Sequence, residues 1–199
     1  MENIVITIGR QLGSGGREIG KRLAEKLNVG FYDKEIIAIA ADKTGIDDQL
    51  MKAYDEKPVS GFLYSIGINP LLAGKQGLSL EMRAYLAQVN TIKSVAEKGS
   101  CVIVGRSADY ILAGHPKLLR VFITADLEYR ALRLTNLYNC DKKTAISTIK
   151  RTDKERSAFY NYHTNQKWGE AMYYDLCLNS SKIGIEECVQ LIYNVALTW

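Results

Sequence analysis

Apolar residues in this chain recur with two different periods, and the alternation between the two outlines a fold. Short runs rich in β-branched and aromatic residues read as strands: Ile4-Val5-Ile6-Thr7-Ile8, Gly30-Phe31-Tyr32, Cys101-Val102-Ile103-Val104, Leu119-Arg120-Val121-Phe122-Ile123 and Leu176-Cys177-Leu178. Between them the spacing lengthens to three and four. Ile19, Leu23 and Leu27 share one helical face, with Lys21, Arg22, Glu25 and Lys26 between them. Similar spacing predicts helices over 34–41, 80–98 (ended by Gly99), 127–138, 142 to about 159, and 185–197. Strands alternating with helices imply an α/β domain on a parallel sheet covered on both faces. Right-handed crossovers then bring the C-terminal strand ends to one edge, where ligands bind in sheets of this kind.

Two stretches break the alternation. Residues 57–79 carry Gly61, Gly67, Gly74 and Gly77 with Pro58 and Pro70, a composition that reads as a long excursion from the core. Residues 142–156 hold Lys142, Lys143, Lys150, Arg151, Lys154 and Arg156, a cationic helix that either folds over phosphates or presents a solvated, salt-bridged face.

Composition narrows the class. A chain of 199 residues, 47% hydrophobic, suffices for one substantial domain. Its 26 Lys and Arg against 22 Asp and Glu leave a net charge of +4, which suits an anionic ligand and falls short of a dedicated nucleic-acid binder. Cys101, Cys140, Cys177 and Cys188 are widely separated, and the chain has two histidines, a pattern that argues against a zinc site or a disulfide framework. Cys101, Cys177 and Cys188 read as small core residues. No run approaches the roughly 20 apolar residues of a membrane span, and the N-terminus lacks a basic region followed by an apolar one, so a cytoplasmic protein is expected.

The first strand breaks into Gly9-Arg10-Gln11-Leu12-Gly13-Ser14-Gly15-Gly16-Arg17-Glu18 and then a helix. Strand, glycine-rich loop and helix together grip phosphate, because free N–H groups point out of a helix N-terminus and glycines let the anion approach. A Walker A loop, G-x-x-x-x-G-K-[ST], puts a lysine on the terminal phosphates and a hydroxyl on magnesium. Aligned on Gly15, the lysine slot here holds Gly16 and the hydroxyl slot holds Arg17. Arg17 opposes the helix dipole where it stands, which favours a bound anion over a plain turn.

Beyond the loop, Tyr32-Asp33, the run from Val102 through Gly105-Arg106-Ser107-Ala108-Asp109 to Leu112, Arg151-x-Asp153-x-x-Arg156, Trp168, and Tyr174-Asp175-Leu176-Cys177-Leu178-Asn179-Ser180-Ser181 follow in order. Together these motifs resemble the cytidylate kinase-like proteins, a branch of the P-loop nucleoside monophosphate kinases, nearly end to end. The resemblance implies a three-layer P-loop NTPase-type fold, a five-stranded parallel sheet flanked by helices. It divides one domain into a CORE (1–56, 80–141 and 164–199), a monophosphate-binding insertion (about 57–79) and a helical LID (about 142–163). It implies transfer of the ATP γ-phosphoryl group to a nucleoside monophosphate, CMP or dCMP by analogy, with Mg2+ bound through the ATP phosphates and water.

By that resemblance Gly13, Ser14, Gly15, Gly16 and Arg17 cradle the donor phosphates, and Arg106 with Asp109 faces the acceptor. Arg106 also reads as a helix-start arginine paired with Asp109. Asp33 organises hydrated magnesium, contacts the acceptor, or simply caps the next helix. Arg151 and Arg156 are the LID arginines, with Asp153 orienting one of them through an i, i+3 contact. Asn179, Ser180 and Ser181 lie near adenine or form a helix cap. Tyr160, Tyr162, His163 and Trp168 stack on a base or pack against the core. No membrane or nucleic-acid partner is expected, and both a monomer and a homodimer remain open. The competing functions are a nucleotide-binding regulatory module and a kinase for another small molecule.

Overall fold

Strand β1 (Val5–Arg10) is the centre on which the other elements assemble. The computed structural model, which describes residues 3–45, 49 and 79–199, pairs β1 in parallel with β3 (Cys101–Val104) on one side and β4 (Leu118–Thr124) on the other. β2 (Gly30–Tyr32) lies outside β3, and β5 (Leu176–Asn179) outside β4, giving the order β2-β3-β1-β4-β5. Every pairing is parallel, with Val5 level with Cys101 and Leu118. All five strand ends therefore point to the same edge.

The period-two alternation sorts side chains to two faces. Ile6, Ile8, Val102, Val104, Leu119 and Val121 are buried beneath α1 (Gly16–Leu27) and α8 (Ile185–Thr198). Val5, Cys101, Ile103 and Leu118 pack on the other face with Ile36 of α2 (Glu35–Thr44) and with Ile92 and Val95 of α3 (Leu80–Glu97). The remaining α-helices among the described residues include α4 (Ala108–Ile111), α5 (Leu127–Tyr138), α6 (Lys142–Thr164) and α7 (Ser180–Ile183). A separate cluster of Ala131, Leu134, Ala145 and Ile149 joins α5 to α6. No helix among the described residues is long and apolar enough to cross a membrane.

Three details depart from the sequence reading. Helix α6 continues past 159 to Thr164, because Tyr160 and Thr164 extend the buried stripe begun by Ala145 and Ile149. Asn165 then stops it in the left-handed conformation (φ 54°). Cys177 is exposed, not a core residue: β5 is an edge strand with half its side chains turned outward. Helices α4 and α7 are each four residues long and carry no periodic signal. The expected insertion at about 57–79 lies outside the described residues apart from Ser79, whose side chain caps α3 by accepting from the Met82 N–H at 3.2 Å.

Helix α6 is tied to α3 by an aromatic stack. The His163 ring lies parallel to Tyr85 at 3.8 Å and tilted against Phe159 at 4.6 Å. Burial there holds the imidazole down to a pKa of about 4, against 6.5 when free. Between those values the unfolded chain binds a proton that the folded chain refuses, so stability falls as pH drops through this window. Thermal melts of the wild type and H163F between about pH 7 and pH 4.5 check this: the variant keeps the ring stack and loses less melting temperature on acidification.

Candidate functional site

The loop after β1 owes its shape to two backbone positions. Gly13 and Gly15 both have φ of 80°, the left-handed region where a Cβ is strained. At Gly13 a Cβ would also lie 2.8 Å from Leu134 Cδ1 and 2.9 Å from the Arg130 carbonyl oxygen. Between them Ser14 is wholly buried and donates its hydroxyl to the Gln11 carbonyl at 2.8 Å. Its own carbonyl accepts from Ser180 Oγ at 2.6 Å, so α7 clamps the loop from below. The first intrahelical bond of α1 runs from the Ile19 N–H to the Gly15 carbonyl. The N–H groups of Gly16, Arg17 and Glu18 therefore lack an intrahelical acceptor and face off the sheet edge, the arrangement that binds anions.

Arginines gather at that edge around buried carboxylates. Arg17 Nε donates to Asp33 Oδ2 at 2.6 Å, and Arg106 Nη1 donates to Asp33 Oδ1 at 3.3 Å and to the Val104 carbonyl at 3.3 Å. Asp33 and Arg106 are 4% and 3% exposed, so this is a nearly dry ion pair with a half-exposed second cation at its rim. The capping alternative for Asp33 is not what the geometry adopts: Lys34 occupies the N-cap of α2, and the Asp33 carboxylate serves the two arginines. Arg106 was also expected to pair with Asp109; instead the hydroxyl of Tyr160 donates to Asp109 Oδ2 at 2.7 Å. Burial pushes the Asp109 carboxyl above the usual carboxylate range, opposed by that bond.

Helix α6 brings Asp153, Arg156 and Tyr160 to one face. Asp153 was expected to orient a LID arginine. Its Oδ1 accepts from the Leu12 N–H at 2.8 Å and its Oδ2 from Arg130 Nη1 at 2.6 Å, which fastens α6 to the glycine-rich loop. Arg156 Nη1 donates to the Arg10 carbonyl at 3.2 Å. Arg151 lies elsewhere, on the exposed side of α6. Sequence reasoning missed Arg130 and Arg133 of α5. Arg133 Nη2 donates to Glu18 Oε2 at 2.7 Å, a bond that leads the forces holding the Glu18 carboxyl below its usual range. The available signal for Arg130 was a charge at a position spaced three from Leu127 and four from Leu134, inside an apolar stripe.

A narrow cleft of about 20 Å³ opens beside the loop. Arg10, Arg106 and Arg156 supply cations to its lining, Phe159, Tyr160, Trp168 and Tyr174 supply rings, and Ser107 and Asp109 supply polar groups. The aromatic residues at the end of α6 and just beyond it divide between the two expected roles: His163 packs on Tyr85, while Tyr160 and Trp168 line the cleft. Asn179 caps α7, accepting from the Ser181 N–H at 3.1 Å.

A five-stranded parallel sheet in this order, with a glycine-rich loop running from its central strand into α1, defines an α/β fold of the P-loop kinase type. The chain belongs to the cytidylate kinase-like family, whose model matches residues 5–182. It is 26% identical over 196 residues to the cytidylate kinase of Methanocaldococcus jannaschii, covering 95% of each chain. Against the cytidylate kinase of Methanopyrus kandleri it is 24% identical, covering 96% of this chain and 91% of that one. Among solved structures, an uncharacterized protein from Eubacterium ventriosum superposes with a TM-score of 0.73 at 28% identity, covering 98% of this chain and 99% of that one. The shikimate kinase of Bacteroides thetaiotaomicron superposes at 0.55 with 18% identity over 98% and 99%, which speaks to the fold.

Because Asp153 serves a buried guanidinium and a loop N–H together, its removal strands both. D153A is expected to cost about 3 kcal/mol of unfolding free energy, while D153N, which keeps an acceptor, costs less; denaturant melts of the two variants check the order.

Proposed function

We propose that this protein transfers the γ-phosphoryl group of ATP to a nucleoside monophosphate, with CMP or dCMP as the favoured acceptor. The observation that carries the reading is the adjacency, on one sheet edge, of an anion-binding helix N-terminus and a cleft that combines arginines with aromatic rings. The loop suits the polyphosphate of the donor. A cleft with cations and aromatic walls suits an acceptor that is itself a phosphate attached to a flat ring. The family, and relatives named cytidylate kinase, support the choice of acceptor.

The reaction asks little covalent chemistry of the protein. An oxygen of the acceptor phosphate bonds to the γ-phosphorus as the bond from that phosphorus to the β,γ-bridging oxygen breaks, leaving ADP and a nucleoside diphosphate. Negative charge spread over the transferred group is met by cations already in place, so alignment and charge neutralisation supply the rate. The loop amides of Gly13 to Arg17 hold the donor, with Ser14 shaping the loop from within. Arg17 and Arg106 reach the reaction from Asp33, and Arg156 reaches it from α6. In this reading α6 is the LID that excludes water, and residues 57–79 complete the acceptor site. Asp109 contributes to the acceptor wall through Tyr160, and Asp153 holds the LID to the loop.

Among the described residues magnesium finds no ready cage of side chains. Both oxygens of Asp33 accept from guanidinium groups, and among the described residues no group of three His, Cys, Asp or Glu side chains converges on a metal position. The ion would enter with the nucleotide.

Gly16 in the lysine position is the observation that favours a second reading, a module that binds nucleotide without turning it over. One assay separates the two. ADP release from ATP and magnesium, measured against a panel of nucleoside monophosphates, is expected to depend on the acceptor and to be fastest with CMP or dCMP. No acceptor-dependent turnover, with a nucleotide-induced rise in melting temperature, selects the module. In the active enzyme R156A lowers kcat by about 10²- to 10³-fold with a smaller change in acceptor KM, whereas R151A, on the exposed side of α6, does not approach that loss.

A further inference from the structure

Arg106 stands in a turn that L residues resist. Gly105, Arg106 and Ser107 have φ of 80°, 56° and 53° in succession. Non-glycine residues held in the left-handed region are strained, and such strain persists only where the surroundings over-determine it. On one side the turn is tied down by Arg106 itself, through Asp33 and the Val104 carbonyl, and by the Gly105 N–H bonded to the Ile8 carbonyl at 3.0 Å. On the other side, two residues beyond Ser107, the Asp109 carboxylate accepts from Tyr160 at 2.7 Å. Both partners of that bond are buried, at 8% and 4% exposure.

Tyr160 belongs to the same helical stripe as Asp153 and Arg156, at i, i+3 and i+7 along α6. Asp153 is anchored to the donor loop through the Leu12 N–H, and Tyr160 to the acceptor turn through Asp109. One helix face thus spans the two halves of the site, with its anchors about 10 Å apart along the axis. Arg156 sits between the anchors and lines the cleft with Arg106.

We propose that Tyr160 is a positioning residue for phosphoryl transfer: by holding Asp109, it fixes the strained Arg106 turn against the helix that carries Arg156, so that both guanidinium groups address one phosphate. The inference rests on the kinase reading above. The bond acts on geometry in the transition state rather than on substrate capture, so its loss is felt in kcat.

The test compares the full-length wild type with Y160F, D109A, D109N and the Y160F/D109A double variant, by kcat, acceptor KM and melting temperature. Y160F removes one oxygen and keeps the buried ring. It is expected to lower kcat about tenfold with acceptor KM changed much less. D109N, which retains an oxygen to accept from Tyr160, keeps more of the rate than D109A. The double variant is close to D109A in rate, because both changes break the Tyr160–Asp109 bond and only the longer 3.0 Å contact of the same hydroxyl with Gln166 Oε1 is lost to Y160F alone. An active wild type whose kcat is unaltered by Y160F overturns the inference alone, as do losses that multiply in the double variant, or a fall in melting temperature with kcat and KM changing together. A wild type inert toward every monophosphate overturns the kinase reading and this inference with it.

Discussion

Guanidinium groups crowded on one sheet edge repel one another, and the fold tolerates the crowd only because carboxylates and carbonyls are interleaved with it. Two unit charges 6 Å apart cost about 3 kcal/mol at an effective dielectric of 20. Asp33 answers Arg17 and Arg106, Asp153 answers Arg130, Glu18 answers Arg133, and the Arg10 carbonyl accepts from Arg156. At Asp33 one carboxylate is shared by two cations. An anion arriving there relieves repulsion already present, which is the electrostatic preorganisation that phosphoryl transfer uses.

The same carboxylates tie separate elements together. Asp153 belongs to α6, yet its bonds are to Leu12 in the loop and Arg130 on α5. Loop, α5 and α6 are thereby one electrostatic unit, backed by the apolar cluster of Ala131, Leu134, Ala145 and Ile149.

The legible part of this structure is the part written in local periods. Ile6 and Ile8 on one face of β1, the Gly13-to-Gly16 loop and the Ile19, Leu23, Leu27 stripe follow from alternation, glycine placement and helical spacing, and the structure has them where the sequence put them. Arg106, which the resemblance assigned to the acceptor, lies two residues beyond buried strand β3, at the edge where the strand ends converge. What stayed hidden depends on pairings distant in the chain. The contact of Asp153 with Leu12 spans 141 residues, and a charge pattern cannot tell a carboxylate that steadies its own helix from one that reaches another loop. Cys177 failed for a related reason: an apolar run marks a strand, but only the strand order says that this strand is an edge.

The departure from the Walker pattern has a steric cause in the same neighbourhood. A Cβ at Gly16 would lie 2.5 Å from the Arg10 Cβ, so no lysine can stand there while Arg10 keeps its place at the end of β1. The cation moves one residue along, to Arg17, where a side chain 58% exposed has room. Asp33 holds Arg17 through Nε, and this mode of attachment leaves the forked Nη groups of the guanidinium for phosphate oxygens, which a lysine held by its single nitrogen could not offer. Arg10 meanwhile lines the cleft and lends its carbonyl to Arg156. Any residue with a Cβ at position 10 thus holds position 16 to glycine, and the cation falls to Arg17.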